Sequence, residues 1–332
     1  MIDYVHLRYP IQIPTKFFNP MTWQKKKTDS GQSYFQRTIR GVKLRYYADS
    51  QTFTIAGKIL MLLHDTQVQN VDDIYGVRID LFITELNTAL NSPFPSPVLD
   101  VRKFSVSRID YCFNVETPYV KTYLDFLQKA FSMTNTGRTN FTAEKNLSGS
   151  VYIRTNADYR ENSNKNYTVN FYDKSDRLQY QIKNGQRVTE ADILLAQNIL
   201  RLEVQCGHQL IKSQLQKYGI ENNFGNLLDY RIAYETITAV YTRVFKGTPD
   251  ADYFTYPAAK ALLRGKEAAL NAIFVATSHN IMAQKYYHGR TVAKKSGVYP
   301  HCFLEKKSPI PSLKNPMKLI LEKLIASGIH FQ

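Results

Sequence analysis

The segment Phe104-Ser105-Val106-Ser107-Arg108-Ile109-Asp110-Tyr111-Cys112-Phe113-Asn114-Val115 reads as a β-strand. From Ile109 onward its apolar positions recur at every second residue, the period at which a strand returns to one face. Arg108 and Asp110 therefore share a face, while Ile109 points the other way into a core. A second segment, Leu200-Arg201-Leu202-Glu203, repeats the arrangement with Arg201 and Glu203 on one face. If the two strands lie close in one sheet, Asp110 and Glu203 converge. Paired carboxylates are the hard oxygen ligands that Mg²⁺ or Mn²⁺ prefers. The same spacing also fits a plain Arg–carboxylate pair on a wetted sheet face. Arg78-Ile79-Asp80 repeats the triplet in a helix-like stretch, where i and i+2 diverge by about 200°, and is set aside. Cys112 shares the face of Asp110, but a thiol is a poor ligand for a hard cation and is read as packing.

The remaining elements are predicted outward from these strands. Ile2–Ile13 alternates, with Val5, Leu7 and Tyr9 opposite His6 and Arg8. Val42–Tyr47 and Gln51–Ile55 form a hairpin around Ala48-Asp49-Ser50. Asp72–Leu90 and Tyr119–Phe131 read as helices. Ser150–Arg154 and Tyr167–Tyr172 read as strands flanking a polar loop, Asn156–Asn166. Thr189–Leu200 is a helix capped by Thr189, Leu200–Cys206 a strand, and His208–Tyr218 a helix that starts at His208 and that Gly219 ends. The fold class is α+β: two related strand–helix lobes, about 1–132 and 148–222, forming a curved, mainly antiparallel sheet. Residues 223–332 are expected to be mainly helical and basic, with helices over Leu227–Phe245, Tyr256–Ser278 and Pro316–Ser327.

Composition narrows the partners. Lys and Arg number 43 against 28 acidic residues, a net charge of +15, which favours a polyanion such as nucleic acid. The segment Lys285–Gln332 alone carries nine Lys and Arg against two Glu, including Lys294, Lys295, Lys306 and Lys307. The 23 Tyr and 18 Phe supply rings that fill a β-rich core or stack on unpaired bases. No apolar run reaches the roughly 18 residues that a membrane helix needs, so no membrane partner is expected. Three widely spaced cysteines, Cys112, Cys206 and Cys302, read as free thiols of a reducing cytoplasm.

Tyr167-Thr168-Val169-Asn170-Phe171-Tyr172-Asp173-Lys174 ends a strand on a tyrosine with a lysine two residues later. A tyrosine there can attack a phosphodiester and hold the 5′-phosphate covalently, conserving the bond for rejoining. Lys174 would stabilise the developing charge, and a metal held by Asp110 and Glu203 would do so from the other side. With so many tyrosines, an ordinary strand tyrosine fits the same residues.

Met1-Ile2-Asp3-Tyr4-Val5-His6-Leu7-Arg8-Tyr9-Pro10, Ser107-Arg108-Ile109-Asp110, Tyr172-Asp173-Lys174, and Leu202-Glu203 with Leu210, Lys212 and Tyr218-Gly219 occur in that order. Over residues 1 to about 220 the chain resembles the filamentous-phage gene II replication initiators and the related rolling-circle initiators of Gram-positive plasmids. The resemblance implies a nicking domain over 1–222, with Tyr172 as the nucleophile and Asp110 and Glu203 at the acidic positions of their strands. It implies a rolling-circle initiator that nicks single-stranded origin DNA, forms a 5′-phosphotyrosine link and later rejoins the strand. Arg108, Arg201, Arg154 and the C-terminal lysines would contact phosphates. Single-stranded and duplex origin DNA, a host helicase and DNA polymerase would be partners, a homodimer is compatible, and the setting would be the cytoplasm of a phage-infected or plasmid-bearing bacterium.

Of the seven histidines, no two are separated by a single residue. The His-hydrophobic-His metal strand of many such nucleases is therefore absent, as are HExxH, CxxC and a phosphate-binding P-loop. The sequence leaves open a non-catalytic origin-binding protein or repressor, a relaxase- or transposase-like tyrosine nuclease, and an RNA-binding protein.

Overall fold

The computed structural model describes residues 1–95, 98–121, 123–124, 127, 141–145, 150–155, 167–245 and 315–330, with backbone alone at 141–145, 153–155, 167 and 245. The chain divides into two compact units. One comprises Met1–Pro118, Asn140–Ile237 and Ser327–Gln332; the other comprises Tyr119–Thr139 and Thr238–Ala326. Residues 223–237, expected in the C-terminal region, thus belong to the first unit.

The first unit is built on one ten-stranded sheet. Its strands are β1 (Ile2–Pro10), β2 (Gln24–Lys27), β3 (Ser33–Ile39), β4 (Val42–Tyr47), β5 (Thr52–Gly57), β6 (Ser105–Glu116), β7 (Phe141–Lys145), β8 (Val151–Thr155), β9 (Tyr167–Asp173) and β10 (Ile199–Cys206). They run β2-β3-β4-β5-β1-β6-β10-β9-β8-β7, each pair antiparallel. The two halves follow one plan. Between β5 and β6 lie helices α1 (Val71–Tyr75) and α2 (Ile79–Asn91); between β9 and β10 lie α3 (Lys174–Lys183) and α4 (Glu190–Leu195). Each half then returns through its Arg-x-acid strand, and those two strands pair side by side. This is the α+β, two-lobed antiparallel sheet that the sequence implies. Register shifts between Ile2 and Val5 and between His6 and Leu7 mark bulges, which bend a sheet locally.

The two faces of the sheet differ sharply. One is apolar: Val5 and Leu7 of β1, Ile109, Tyr111 and Phe113 of β6, Leu200, Leu202 and Val204 of β10, and Val169 and Phe171 of β9 are all buried. In the first lobe an aromatic cluster continues this face, with Phe18 stacked on Phe35 and on Tyr46, each at 4.8 Å. Helix α5 (His208–Tyr218) packs on β6 and β10 and buries Ile211. The other face is polar and carries the candidate site.

Several expected elements are corrected. The single helix over Asp72–Leu90 is two, because Gly76 at φ +52° breaks the ladder between α1 and α2. The helix after Thr189 has the expected cap, the Thr189 hydroxyl accepting from Asp192 N, but ends at Leu195; Asn198, at φ +60°, turns the chain into β10. The helix expected over Leu227–Phe245 starts at Tyr230 as α7 (Tyr230–Phe245), and a short α6 (Phe224–Leu227) precedes it. Strands β2, β3 and β7 and helix α3 are additional to the sequence reading. Helix α5 matches it, starting at His208 and ending at left-handed Gly219. In the second unit, α8 (Pro316–Ala326) buries Met317, Ile320 and Leu324 and starts at Asn315, whose side chain accepts from Met317 N. Most of Tyr119–Phe131, and all of Asn156–Asn166 and Tyr256–Ser278, lie outside the described residues. Among the described residues, no helix is long and apolar enough to cross a membrane.

Candidate active site

The register decides which side chains meet, because paired residues on neighbouring strands share a face. On β6 and β10, Asp110 is opposite Gln205, Cys112 opposite Glu203, and Asn114 opposite Arg201. On β10 and β9, Arg201 is opposite Tyr172, Glu203 opposite Asn170, and Gln205 opposite Thr168. Tyr152 of β8 follows opposite Asn170. Asp110, Glu203 and Tyr172 thus come from three adjacent strands onto one face. They line a cavity of about 480 Å³ with Asp3, Tyr4, Lys58, Arg108, Asn170, Lys174, Arg177, Gln181 and Gln205 among its walls.

Tyr172 is the penultimate residue of β9, just before a sharp change of structure. Asp173 caps α3 by accepting from Ser175 N at 2.9 Å, so Lys174 begins that helix. The Tyr172 hydroxyl donates to Glu203 Oε2 at 3.2 Å, and Gln205 Nε2 donates to Glu203 Oε1 at 3.1 Å. Lys174 Nζ lies 5.9 Å from the centre of the Tyr172 ring. Arg108 clamps Asp110 through both oxygens, Nε to Oδ1 at 2.8 Å and Nη2 to Oδ2 at 2.6 Å, and rests over the Tyr4 ring at 4.5 Å.

The site is deeply set, and its protonation follows from that. Tyr172 is 6% exposed, Glu203 5%, Lys174 4% and Asp110 1%. Burial raises Asp110 to about 7, with Glu203 adding to the rise and Arg108 opposing it. Burial, reinforced by the charge on Asp3, raises Glu203 above the usual carboxylate range. Burial and Glu203 hold the Tyr172 phenol well above its ordinary value. Burial, Arg201 and Lys58 push the Lys174 ammonium well down. Burial alone would raise the Asp3 carboxyl, but Lys58, Arg201 and Lys174 together hold it low.

Arg201 is corrected as a phosphate ligand. It is 0% exposed and bonds Asn114, Asp3, Asn70 and the carbonyl of Val68 inside the protein. It cannot reach a phosphate, and instead ties β10 to β1 and to the segment before α1. The Arg154 side chain and Lys294, Lys295, Lys306 and Lys307 lie outside the described residues. Cys112 is buried, its thiol pushed up by burial to about 12, in keeping with a packing role. The decoy Asp80 sits on α2 and pairs instead with Arg102 at 2.8 Å.

Among the described residues no group of three or more His, Cys, Asp or Glu stands at metal-binding spacing. The oxygen set is nevertheless suited to a hard dication. Asn170 Oδ1 and Gln181 Oε1, both lining the cavity, are buried without a hydrogen-bond partner. Each carboxylate oxygen of Asp110 and Glu203 keeps a further lone pair beyond its present bond. Two carboxyls raised by burial and two orphaned carbonyl oxygens would all gain from a cation.

The sequence reading missed Asn170 and Gln205, although they lie two residues from Tyr172 and Glu203 on the same strands. Asp3, Lys58 and Gln181 carry no local signal, since only the tertiary fold brings them here. No family model, curated protein or solved structure matches the chain.

Proposed function

We propose that the protein is a metal-assisted tyrosine nuclease and strand transferase that nicks single-stranded DNA in the manner of a rolling-circle initiator. One observation carries the reading: the phenol of Tyr172 hydrogen-bonds a buried carboxylate, Glu203, which is itself oriented by Gln205. A nucleophile, a base within reach and a group that orients the base is the arrangement nucleophilic catalysis requires. Burial lifts Glu203 toward neutrality, which makes it a better acceptor for the phenolic proton.

Tyr172 would attack the scissile phosphorus as its proton passes to Glu203 Oε2. The new bond joins the phenolic oxygen to the 5′-phosphate and the bond to the 3′ oxygen breaks; that oxygen takes a proton from water, leaving a 3′-hydroxyl end. Lys174, held toward its neutral form by burial and neighbouring cations, regains its charge when an anionic phosphate enters. Arg108, with its side chain 40% exposed, stands at the mouth and can orient a phosphate oxygen. Asp110, Glu203 and Asn170 would hold Mg²⁺ or Mn²⁺, which supplies Lewis-acid stabilisation of charge on the phosphate. The reverse attack by a 3′-hydroxyl rejoins the strand.

The test is a labelled single-stranded oligonucleotide incubated with protein and Mn²⁺, then resolved under denaturing conditions. A protein–DNA band that maps to Tyr172 supports the reading; its absence across origin-derived strands overturns it. A second reading, a non-catalytic origin-binding protein, is favoured by the near-complete burial of Tyr172. It expects binding without that band.

A further inference from the structure

The cavity occupies only part of the polar sheet face, and that face continues into the first lobe. Arg108 is in register with His6, His6 with Ala56, Ala56 with Lys43, and Lys43 with Thr38. The same alternation places Arg8, Arg45, Tyr47, Tyr34 and Lys26 on this side. Arg8, Lys26 and Lys43 are exposed, and Arg45, Tyr34 and Tyr47 half-buried. Strands β2 to β5 contain no Asp or Glu at all.

Two features set this face apart from an ordinary wetted sheet. The charged side chains along it from Lys26 to Arg8 are all cations, which repel one another until an anion arrives; Asp3, near the start of β1, lies in the cavity. The convergence is visible at His6, whose protonation is disfavoured by burial and then by Arg8, Arg45 and Arg108. Its aromatic rings are also organised. Tyr34 and Tyr47 lie 5.2 Å apart at 32°, and the Arg45 guanidinium covers Tyr34 at 5.4 Å. Arg45 is held in place by donating to Gln36 Oε1 at 2.9 Å. Planar rings and a fixed guanidinium stack on unpaired bases, while flanking lysines and arginines follow the phosphates.

We infer that the β1–β5 face is a stacking platform for single-stranded nucleic acid, leading a strand from Tyr34 and Tyr47 across Arg45, Lys43 and Arg8 to Arg108 at the cavity mouth. From β3 to β6 the path crosses four strand spacings, about 19 Å. The platform deepens the nuclease reading and rests on it only for the identity of the strand as DNA.

Binding of a fluorescent oligo(dT) strand to the full chain tests it without requiring cleavage. Tyr34→Ala/Tyr47→Ala should weaken binding about tenfold or more. Both platform tyrosines are half-buried on an open face; Lys26→Glu/Lys43→Glu provides a second variant at exposed positions. Its binding should lose about 0.7 in salt dependence for each phosphate contact removed. Wild-type affinity in either platform variant, failure of the wild type to bind oligo(dT), or equal loss by both variants on a blunt duplex would overturn the inference. A wild type that binds through the platform yet forms no adduct would sink the nuclease reading and leave the platform standing.

Discussion

Tyr172 and Glu203 meet on the diagonal. In register Tyr172 lies opposite Arg201 and Glu203 opposite Asn170, yet the phenol reaches across to Oε2 at 3.2 Å. Tyr172→Phe removes one oxygen from a buried pair and leaves the ring in place. Covalent attachment to single-stranded DNA should disappear while affinity for the strand stays within about twofold, since a phenol that attacks phosphorus need not hold the strand. An adduct of undiminished yield would exclude Tyr172.

Glu203→Gln keeps the shape and the hydrogen bond to Tyr172 but cannot take its proton. Adduct formation should slow by about 10²–10⁴-fold, measured in single-turnover cleavage with saturating strand. An unchanged rate would assign proton removal to another group.

Asp110 sets a pH dependence. Burial lifts its pKa from 3.8 to about 7, against the opposing pull of Arg108. Between those values the folded chain holds a proton that the unfolded chain has released, so metal-free stability falls as pH rises through that window. A dication competes with that proton and should raise the thermal midpoint more at pH well above 7 than well below it. Differential scanning fluorimetry with Mn²⁺ checks this; Asp110→Asn should erase the increment. Equal increments on both sides of neutrality would remove Asp110 from ion binding.

Arg201→Ala should act on the fold rather than on the nucleic acid. It removes the buried guanidinium that bonds Asp3 and Asn70 and leaves Asp3 with Lys58 alone, a loss of about 3–5 kcal/mol. Urea unfolding would read it directly. A near-neutral effect would mean that the network relaxes around the gap.

Gly57→Ala is expected to cost more than about 1 kcal/mol. Gly57 sits at φ +148°, and an added Cβ would stand 2.8 Å from Val42 Cα. The midpoint of the same urea titration checks this.

Residues of the central strands were readable from their sequence because alternation and burial coincide there. Ile109 to Val115 and Leu200 to Cys206 place apolar side chains on the closed face, which fixes Asp110 and Glu203 on the other. The outer strands were not readable. Gln24–Lys27 is an edge strand with every residue exposed, so it lacks the pattern that burial writes. The β3–β4 turn is a two-residue hairpin at Arg40 and Gly41, with φ of +45° and +85°, but lacks the Asn or Asp that usually announces such a turn. Arg108 and Arg201 share one local signature and differ in fate. Only the packing of Val68 and Asn70, far away in sequence, seals Arg201 inside.

The strand order has a consequence for how this protein breathes. β6 and β10 are neighbours well inside a sheet whose margins are β2 and β7. Amide hydrogens near Asp110 and Glu203 should therefore exchange only through the largest openings, while those at the margins exchange through fraying. A polymer could thread on and off the periphery many times without disturbing the alignment of the groups that would cut it.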